Sequence, residues 1–268
     1  MNRPSKAFTL VEMLVVLAIM MVLAAILFPV LVQAKKAANS AVCLSNMRQI
    51  GIAASLYLGD NDDQYFPVCR FEPEPGYPPQ VTWIGYDNGN TPDTRGGFYG
   101  DVTKPAKNYP RQGLLDIYIK DLRVIKCPNQ SPDIQSALAL NGFDPGIPSS
   151  YYATNPGAQG KEFSPCVFSS TYVGDTYETV GASASLVEEP SNTLLCWEHL
   201  AYAPVCNWLQ HPDWFGSPPA IPEMTEHFNF LHNGGTNTLW CDGHVKRLSY
   251  GQLRRPMFSV YKHIYPHD

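Results

Sequence analysis

Hydrophobic residues open the chain in one long run, which then gives way to a one-sided pattern. From Met13 to Val32 every residue is apolar, including Pro29. A run of this length is enough to cross a bilayer as a helix. Beyond it, small and apolar residues recur at steps of three and four, as on one face of an amphipathic helix. These positions are Ala37, Ala41, Leu44, Met47, Gly51, Ala54 and Leu58. Gly59 and Asp60 end the pattern, so the sequence predicts one helix from about Thr9 to Leu58.

The rest of the chain predicts short elements separated by long loops. Residues 67–112 are rich in Pro, Gly, Tyr, Asp and Asn, which predicts an irregular insertion. Residues 114–119 (LLDIYI) suggest a short helix. Apolar runs predict strands at 123–128, 150–155 and 192–199,.

The last pattern is a hairpin within residues 232–248 (HNGGTNTLWCDGHVKRL). Residues 236–241 alternate as a strand does, and residues 244–248 return as its partner. Asp242 and Gly243 between them predict a two-residue turn. The chain is therefore expected to be α+β, with a long N-terminal helix packed on a C-terminal antiparallel β head that carries long loops.

Composition narrows the class of protein. The chain has 268 residues and a formal net charge of -5. An acidic balance argues against a broad nucleic-acid-binding surface, because such surfaces need clustered Lys and Arg. The chain shows no nucleophile elbow, no H-E-x-x-H and no phosphate loop,. We therefore predict no catalytic residue, no cofactor and no nucleic-acid partner.

Seven cysteines are scattered along the chain, and none forms a C-x-x-C pair. A zinc ribbon is thus not indicated. Two interpretations stay open: disulfides, which suit an exported compartment, and small buried hydrophobic residues. Because seven is odd, at least one thiol is free or pairs between chains.

One carboxylate, Glu12, lies at the start of the apolar run. An ionised carboxylate among apolar groups is costly unless it has a partner. The run is longer than the hydrophobic region of a cleaved secretory signal, so we expect it to remain in the mature protein.

The stretch KAFTLVEMLVVLAIM (residues 6–20) resembles the amino-terminal signal of type IV prepilins and type II secretion pseudopilins. The resemblance implies cleavage between Ala7 and Phe8 by a membrane-embedded prepilin peptidase, followed by methylation of the new amino group. The apolar segment is retained in that family. Ala7 stands where the family more often has glycine, and both residues are small.

The resemblance also implies a role for Glu12 and Pro29. Glu12 of one subunit would pair with the Phe8 amine of a neighbour, which favours one axial offset between subunits. Pro29 would mark the place where the helix bends or melts on packing. The alternative for Glu12 is a glutamate at headgroup level in a plain signal anchor.

These observations predict how the chain is organised into segments. The predicted divisions are a leader (1–7), a transmembrane or filament-core helix (8–34), the amphipathic second half of that helix (35–59), and a globular pilin-like head (60–268) that contains the insertion 67–112 and the hairpin 232–248.

The hairpin carries a second resemblance. His232, nine intervening residues and then Asp242-Gly243 match the H-x9-DG motif of a large bacterial family of prepilin-like proteins. His232, Asp242 and His244 have side chains that suit a transition metal. The other interpretation is that His232 or Asp242 makes a hydrogen bond that locks the hairpin.

Two further sets of residues have two interpretations each. Asp60, Asp62 and Asp63 offer oxygens suited to calcium, but the run lacks the glycine and distal glutamate of an EF-hand, so a solvated turn is the alternative. Glu198 and His199 are expected on a solvated surface.

The aromatic residues late in the head suit either a sugar platform or core packing. These residues are Trp208, Trp214, Phe215, Phe228 and Phe230.

The function expected from the resemblance is structural. The protein would be a pilin or pseudopilin, that is, a subunit of a type IV pilus or type II secretion filament. Its partners would be the prepilin peptidase, other subunits and the inner-membrane assembly machinery. It would cross the inner membrane once with its head exported, and then enter a periplasmic or extracellular filament. The alternative is a membrane-anchored or filament-tip module that binds polysaccharide or a surface.

Overall fold

A computed structural model gives the fold of the protein. It describes residues 9–67, 69–71, 80–85, 112–141, 168–173, 176–181, 183–199, 205–206, 228–232, 234–249 and 251–258. The predicted cleavage site at Ala7 and Phe8, the strand at 150–155 and most of the insertion 67–112 lie outside these residues.

One helix, α1 (Leu10–Asp60), contains 51 residues and includes Pro29. Thr9 is its N-cap, and the backbone N–H of Asn61 bonds to Leu58 O at its end. The predicted helix is therefore confirmed, with an end two residues later. Between Leu10 and Val32 the large apolar side chains are 48–79% exposed, so none of the described residues covers this part of the helix.

The second half of α1 packs on the head. Its buried residues are Cys43, Met47, Ile50, Gly51, Ala53 and Ala54. Three of these belong to the predicted apolar face, whereas Ala37 and Ala41 of that face are exposed. Ala37 precedes Asn39, whose side chain bonds to Asn129 of the head. Ala41 lies about 200° around the helix from the buried Cys43,.

The described residues form nine strands. They are β1 (Cys69–Phe71), β2 (Gln80–Thr82), β3 (Leu138–Asn141), β4 (Phe168–Val173), β5 (Thr176–Gly181), β6 (Leu194–Glu198), β7 (Val205–Cys206), β8 (Gly235–Trp240) and β9 (Val245–Ser249). The main sheet has the order β7-β3-β6-β8-β9. Its strands pair antiparallel except for β7, which runs parallel to β3. Two separate antiparallel pairs, β1-β2 and β4-β5, complete the strands.

Side-chain alternation along the sheet produces two cores, because neighbouring residues of a strand point to opposite faces. On one face, Leu140 and Leu239 pack with Met47 and Ile50 of α1. On the other face, a second cluster gathers around Trp197. The helix therefore covers one side of the sheet only.

Two predicted elements of the head are wrong. Residues 114–119 form successive turns rather than a helix, and residues 122–125 form a 3-10 helix where a strand was expected. Asp121 caps this 3-10 helix, since its side chain accepts the N–H of Arg123 at 3.0 Å. A local side-chain bond of this kind competes with strand pairing.

The strand predictions for 192–199 and for the 232–248 hairpin are confirmed as β6, β8 and β9. Four residues, 241–244, lie between β8 and β9, and the hydrogen bond between Trp240 and His244 encloses a loop of three residues rather than the predicted two. Trp240 N–H donates to His244 O at 3.0 Å, and Gly243 N–H donates to Trp240 O at 2.9 Å. Only Gly243 of this turn has a positive φ, 85°, which is the arrangement of a three-residue loop with glycine in the left-handed region.

The backbone at residues 113–115 packs closely against the backbone at residues 82–85. We therefore expect that Gly113→Ala destabilises the protein. A β-carbon at Gly113 would lie 2.3 Å from the carbonyl carbon of Ile84. This segment cannot move away without loss of hydrogen bonds. Leu114 N–H donates to Thr82 O and Leu115 N–H donates to Trp83 O, both at 2.9 Å. The expected loss in free energy of unfolding is about 1–3 kcal/mol, as for overpacking.

Denaturant unfolding of the full chain in detergent measures this loss. Gly59→Ala is the matched control, because Gly59 is helical and its added β-carbon meets nothing within 4 Å. Removing a helical glycine is expected to leave stability unchanged or raise it by up to about 1 kcal/mol. Equal shifts in the two variants would contradict the assignment of Gly113 as a close-approach site.

Candidate functional site

The N-terminus of α1 is closed by a reciprocal pair of side chains. The backbone N–H and the hydroxyl of Thr9 donate to Glu12 Oε2 at 2.8 and 2.7 Å. In return, the N–H of Glu12 donates to Thr9 Oγ1 at 3.3 Å. This capping box satisfies helix donors that would otherwise lack partners. Glu12 is exposed, so its carboxylate is open to a further partner.

The helix beyond this cap is apolar enough to cross a membrane. Among the described residues, α1 is the one helix that meets this criterion, with a mean hydropathy of 3.1 over an 18-residue window. None of that window is buried. A core helix of similar composition would be covered by its own protein. Among the described residues none covers this segment, so its apolar side chains are accessible to lipid or to another protein.

Four buried side chains meet where α1 contacts the head, and we refer to them as the thiol–imidazole cluster: Cys43, Cys127, Glu198 and His232. Their sulfur, oxygen and nitrogen atoms all lie within 4.8 Å of one another. Cys43 Sγ and Cys127 Sγ are 3.0 Å apart. His232 Nε2 lies 3.3 Å from Cys127 Sγ and 2.7 Å from Glu198 Oε1. Each of the four residues is 5% exposed or less.

Separate elements bring these four residues together. Cys43 lies on the buried face of α1, and Cys127 follows the 3-10 helix Leu122–Ile125. Glu198 is the last residue of β6, on the same sheet face as Cys196 of the helix-side core. His232 lies in the turn before β8, where its backbone and that of Gly235 exchange hydrogen bonds at 3.1 and 3.2 Å.

A second layer of amides surrounds the cluster. Asn237 donates to Glu198 twice, from its backbone N–H to Oε2 at 2.9 Å and from Nδ2 to Oε1 at 3.3 Å. The side-chain amide nitrogen of Asn129 lies 3.1 Å from His232 Nδ1. Asn39 of α1 donates to Asn129 Oδ1 at 2.5 Å. The positions of Glu198 and His232 are therefore held by hydrogen bonds as well as by packing.

Proximity shifts the pKa values inside the cluster. The hydrogen bond from the Cys43 thiol lowers the pKa of Cys127 to about 6, although burial opposes this. The same bond, together with burial, raises the pKa of Cys43. Burial lowers the pKa of His232, but hydrogen bonds to Cys127 and Glu198 outweigh it and raise that pKa to about 9. Both shifts favour negative charge on Cys127 and positive charge on His232.

The cluster does not have the geometry of a nucleophilic triad. In a triad the base faces the nucleophile with one ring nitrogen and the orienting carboxylate with the other. Here His232 presents the same atom, Nε2, to both Cys127 and Glu198. Four thiol, imidazole and carboxylate atoms within 4.8 Å of one another are instead typical of a metal-ligand set.

Comparison with known proteins gives a match at the N-terminal end of the chain. Residues 2–28 match the prokaryotic N-terminal methylation motif. The chain therefore carries a prepilin-type segment, as type IV pilin-like proteins do. Neither the search of curated proteins nor that of solved structures returned a match.

The two predicted assembly residues, Glu12 and Pro29, both lie in α1. Glu12 forms the capping box, and Pro29 lies inside α1 among exposed apolar residues. Their predicted roles between subunits remain predictions, since both concern contacts between chains.

The three acidic candidates for calcium lie around the end of α1. Asp60 Oδ2 accepts the hydroxyl hydrogen of Tyr118 at 2.8 Å. Asp62 and Asp63 are exposed and have φ of 51° and 62°. Backbone in this region is typical of a tight turn.

The structure separates His232 from Asp242 and His244. The nine residues between His232 and Asp242 contain all of β8, so the two lie at opposite ends of that strand. Asp242 Oδ1 accepts the N–H of His244 at 3.1 Å and lies 2.6 Å from its Nδ1. The three residues therefore do not form one metal site; Asp242 closes the turn, and His232 belongs to the buried cluster.

The expectation that Glu198 and His199 lie on a solvated surface is wrong. Glu198 is 0% exposed and His199 is 3% exposed. Backbone bonds hold this pair inside, since His199 N–H donates to Ala137 O at 2.8 Å.

The aromatic platform is only partly described. Phe228 and Phe230 pack in the second core with Trp197, rather than presenting a surface. Trp208, Trp214 and Phe215 lie outside the described residues.

No disulfide is formed among the cysteine side chains that the structure describes. Four cysteines are described as thiols outside any disulfide: Cys43, Cys127, Cys196 and Cys241.

Sequence reasoning missed the thiol–imidazole cluster, because its members come from four distant segments. One signal was present. Glu198 closes an otherwise apolar strand, LLCWE, and a carboxylate at the end of a fully buried strand requires a buried partner.

Proposed function

We propose that the protein is a structural subunit, a pilin or pseudopilin, of a type IV pilus or a type II secretion filament. One observation carries the proposal: the prepilin-type segment at residues 2–28 leads into a helix whose apolar side chains from Leu10 to Val32 are uncovered. A chain with this much exposed apolar surface requires either lipid or the equivalent helices of neighbouring subunits.

The two environments correspond to two stages. Before assembly, the apolar half of α1 crosses the inner membrane once, with the head exported. After cleavage by the prepilin peptidase between Ala7 and Phe8, the inner-membrane assembly machinery moves the subunit into a filament. The helix then exchanges contact with lipid for contact with other subunits. Both environments are apolar, so the exchange does not require the apolar surface to enter water.

Glu12 supports this sequence of events. In the single chain, the described hydrogen bonds from Thr9 use only one carboxylate oxygen, Oε2. Cleavage would create an amino group at Phe8. A neighbouring subunit that offers this amine to Glu12 forms a charge-assisted bond in a medium of low dielectric constant, where it is strong.

Cleavage and methylation of the amino terminus can be tested directly. Protein isolated from its native envelope is expected to begin at Phe8 and to carry one methyl group on its amino terminus. Intact mass and amino-terminal sequencing measure both properties. A chain that begins at Met1 would contradict the proposal.

Ala7→Leu provides the matched variant, since a bulky residue before the cut should not fit a cleft that takes small residues. This variant is expected to keep Met1 and to stay in the membrane fraction. Cleavage of both forms at the same position would show that another peptidase acts on the chain.

A further inference from the structure

We propose that the thiol–imidazole cluster is a structural zinc site that joins α1 to the head. The ligands would be Cys43 Sγ, Cys127 Sγ, His232 Nε2 and Glu198 Oε1, whose atoms lie within 4.8 Å of one another. The proposal concerns the head and does not depend on assembly into a filament.

The donor set suits zinc. Two thiolates, one imidazole and one carboxylate are all ligands that Zn²⁺ accepts, and a closed set of four protein ligands is typical of structural sites. Thiolate with imidazole in a tetrahedral arrangement favours zinc over calcium or magnesium, which take oxygen ligands.

The dimensions agree with tetrahedral coordination. Zinc bonds of about 2.0–2.3 Å separate neighbouring ligand atoms by about 3.3–3.8 Å. The corresponding contacts are 3.0 Å between the sulfurs, 3.3 Å from Cys127 Sγ to Nε2 and 2.7 Å from Nε2 to Oε1. The other pairs of ligand atoms lie within 4.8 Å, so shifts of about 1 Å bring the set to the separations of a tetrahedral site.

The same contacts distinguish this site from a simple hydrogen-bonded core. His232 Nε2 lies within 3.3 Å of both a sulfur and a carboxylate oxygen, so three kinds of ligand atom are grouped together. Zinc takes both cysteines as thiolates and His232 as a neutral imidazole, and binding therefore displaces the protons that now lie between these atoms.

The surrounding amides provide the outer layer that metal sites require. A ligating histidine usually donates its other ring N–H to an oxygen, which fixes its orientation. Asn129 is next to Nδ1 at 3.1 Å. Turning over its amide together with that of Asn39, which bonds to it, would place an oxygen against the ring N–H. Asn237 holds both oxygens of Glu198.

The experiment measures metal content in the full chain, purified in detergent without chelators. Elemental analysis is expected to find about one zinc per chain, the stoichiometry of one closed four-ligand site. Replacement with cobalt(II) is expected to give the visible bands of tetrahedral coordination together with a thiolate charge-transfer band. Removal of the ion with a chelator is expected to lower the thermal unfolding temperature, and added Zn²⁺ should restore it.

Variants assign the ligands. Cys127→Ser and Glu198→Gln are each expected to weaken Zn²⁺ binding by more than about 100-fold, beyond the upper end for outer-layer residues. Glu198→Gln keeps an oxygen for the amide donors of Asn237, so it tests the ligand role in a chain that still folds. Cys241→Ser is the matched control, because Cys241 is a reduced thiol that lies outside the cluster.

Three results would overturn the proposal. A Cys43–Cys127 disulfide in peptides of the native protein, without metal, would show that the sulfurs pair by oxidation instead. Reduced thiols without metal, after purification and after incubation with Zn²⁺, would leave a hydrogen-bonded core. Full zinc content in Cys127→Ser and Glu198→Gln would place the ion elsewhere in the chain.

Discussion

Glu12→Ala is expected to leave the protein processed but not assembled. Removing one partner of a desolvated ion pair leaves the other charge unpaired, and this costs about 3–5 kcal/mol. At about 1.4 kcal/mol per factor of ten, the assembled fraction should fall more than about 100-fold. The ratio of protein in sheared filaments to protein in the membrane fraction, measured by immunoblot in the native host, gives this value.

Thr9→Ala is the control that isolates the charge of Glu12. In the single chain, Glu12 also caps its own helix through Thr9, so a loss of assembly in Glu12→Ala could reflect a frayed helix. Thr9→Ala removes the capping hydroxyl and keeps the carboxylate, at a cost of about 0.5–2 kcal/mol to the helix end. Equal losses in both variants would assign the effect to capping and remove the argument for pairing between subunits.

The second large effect is expected in the core on the far side of the sheet. Trp197 is 0% exposed. Its ring stacks on Phe228 at 5.3 Å and meets Phe258 edge-on at 5.4 Å between centroids. Trp197→Ala removes these contacts and leaves a cavity, so the free energy of unfolding should fall by about 3–5 kcal/mol.

Denaturant unfolding in detergent, followed by near-ultraviolet circular dichroism, measures this change. Leu186→Ala is the control, because Leu186 is 46% exposed and surface substitutions usually change stability by about 0.5 kcal/mol or less. If Trp197→Ala unfolds at the same denaturant concentration as Leu186→Ala, the second core is not a packed unit of the head.

The longest apolar patterns in the sequence predicted structure best. The helix α1 followed from an apolar run and then a spacing of three and four, β6 from an apolar run, and β8 and β9 from alternation and an Asp-Gly turn. The strand expected at 123–128 was wrong, since one side chain, Asp121, caps a 3-10 helix there. A local hydrogen bond of that kind has no counterpart in an apolar pattern.

The thiol–imidazole cluster could not be predicted from a sequence pattern, for a different reason. His232 was singled out by its distance from Asp242, yet β8 keeps the two apart. Its actual neighbours are decided by tertiary packing, which brings Cys43 from α1 and Cys127 from a loop. Cysteines a few residues apart can be recognised in a sequence as metal ligands. Cys43 and Cys127 are 84 residues apart, so their spacing gives no such signal.

Those separations also dictate when the head can close on the helix. Cys43 and Cys127 are 84 residues apart, and His232 follows after 105 more. In the export order that the proposed function implies, His232 emerges late, after most of the head. Until then the cluster that joins α1 to the head lacks one of its four members. Completion of this cluster is thus a late, non-local step of folding, and such steps are slow compared with helix formation.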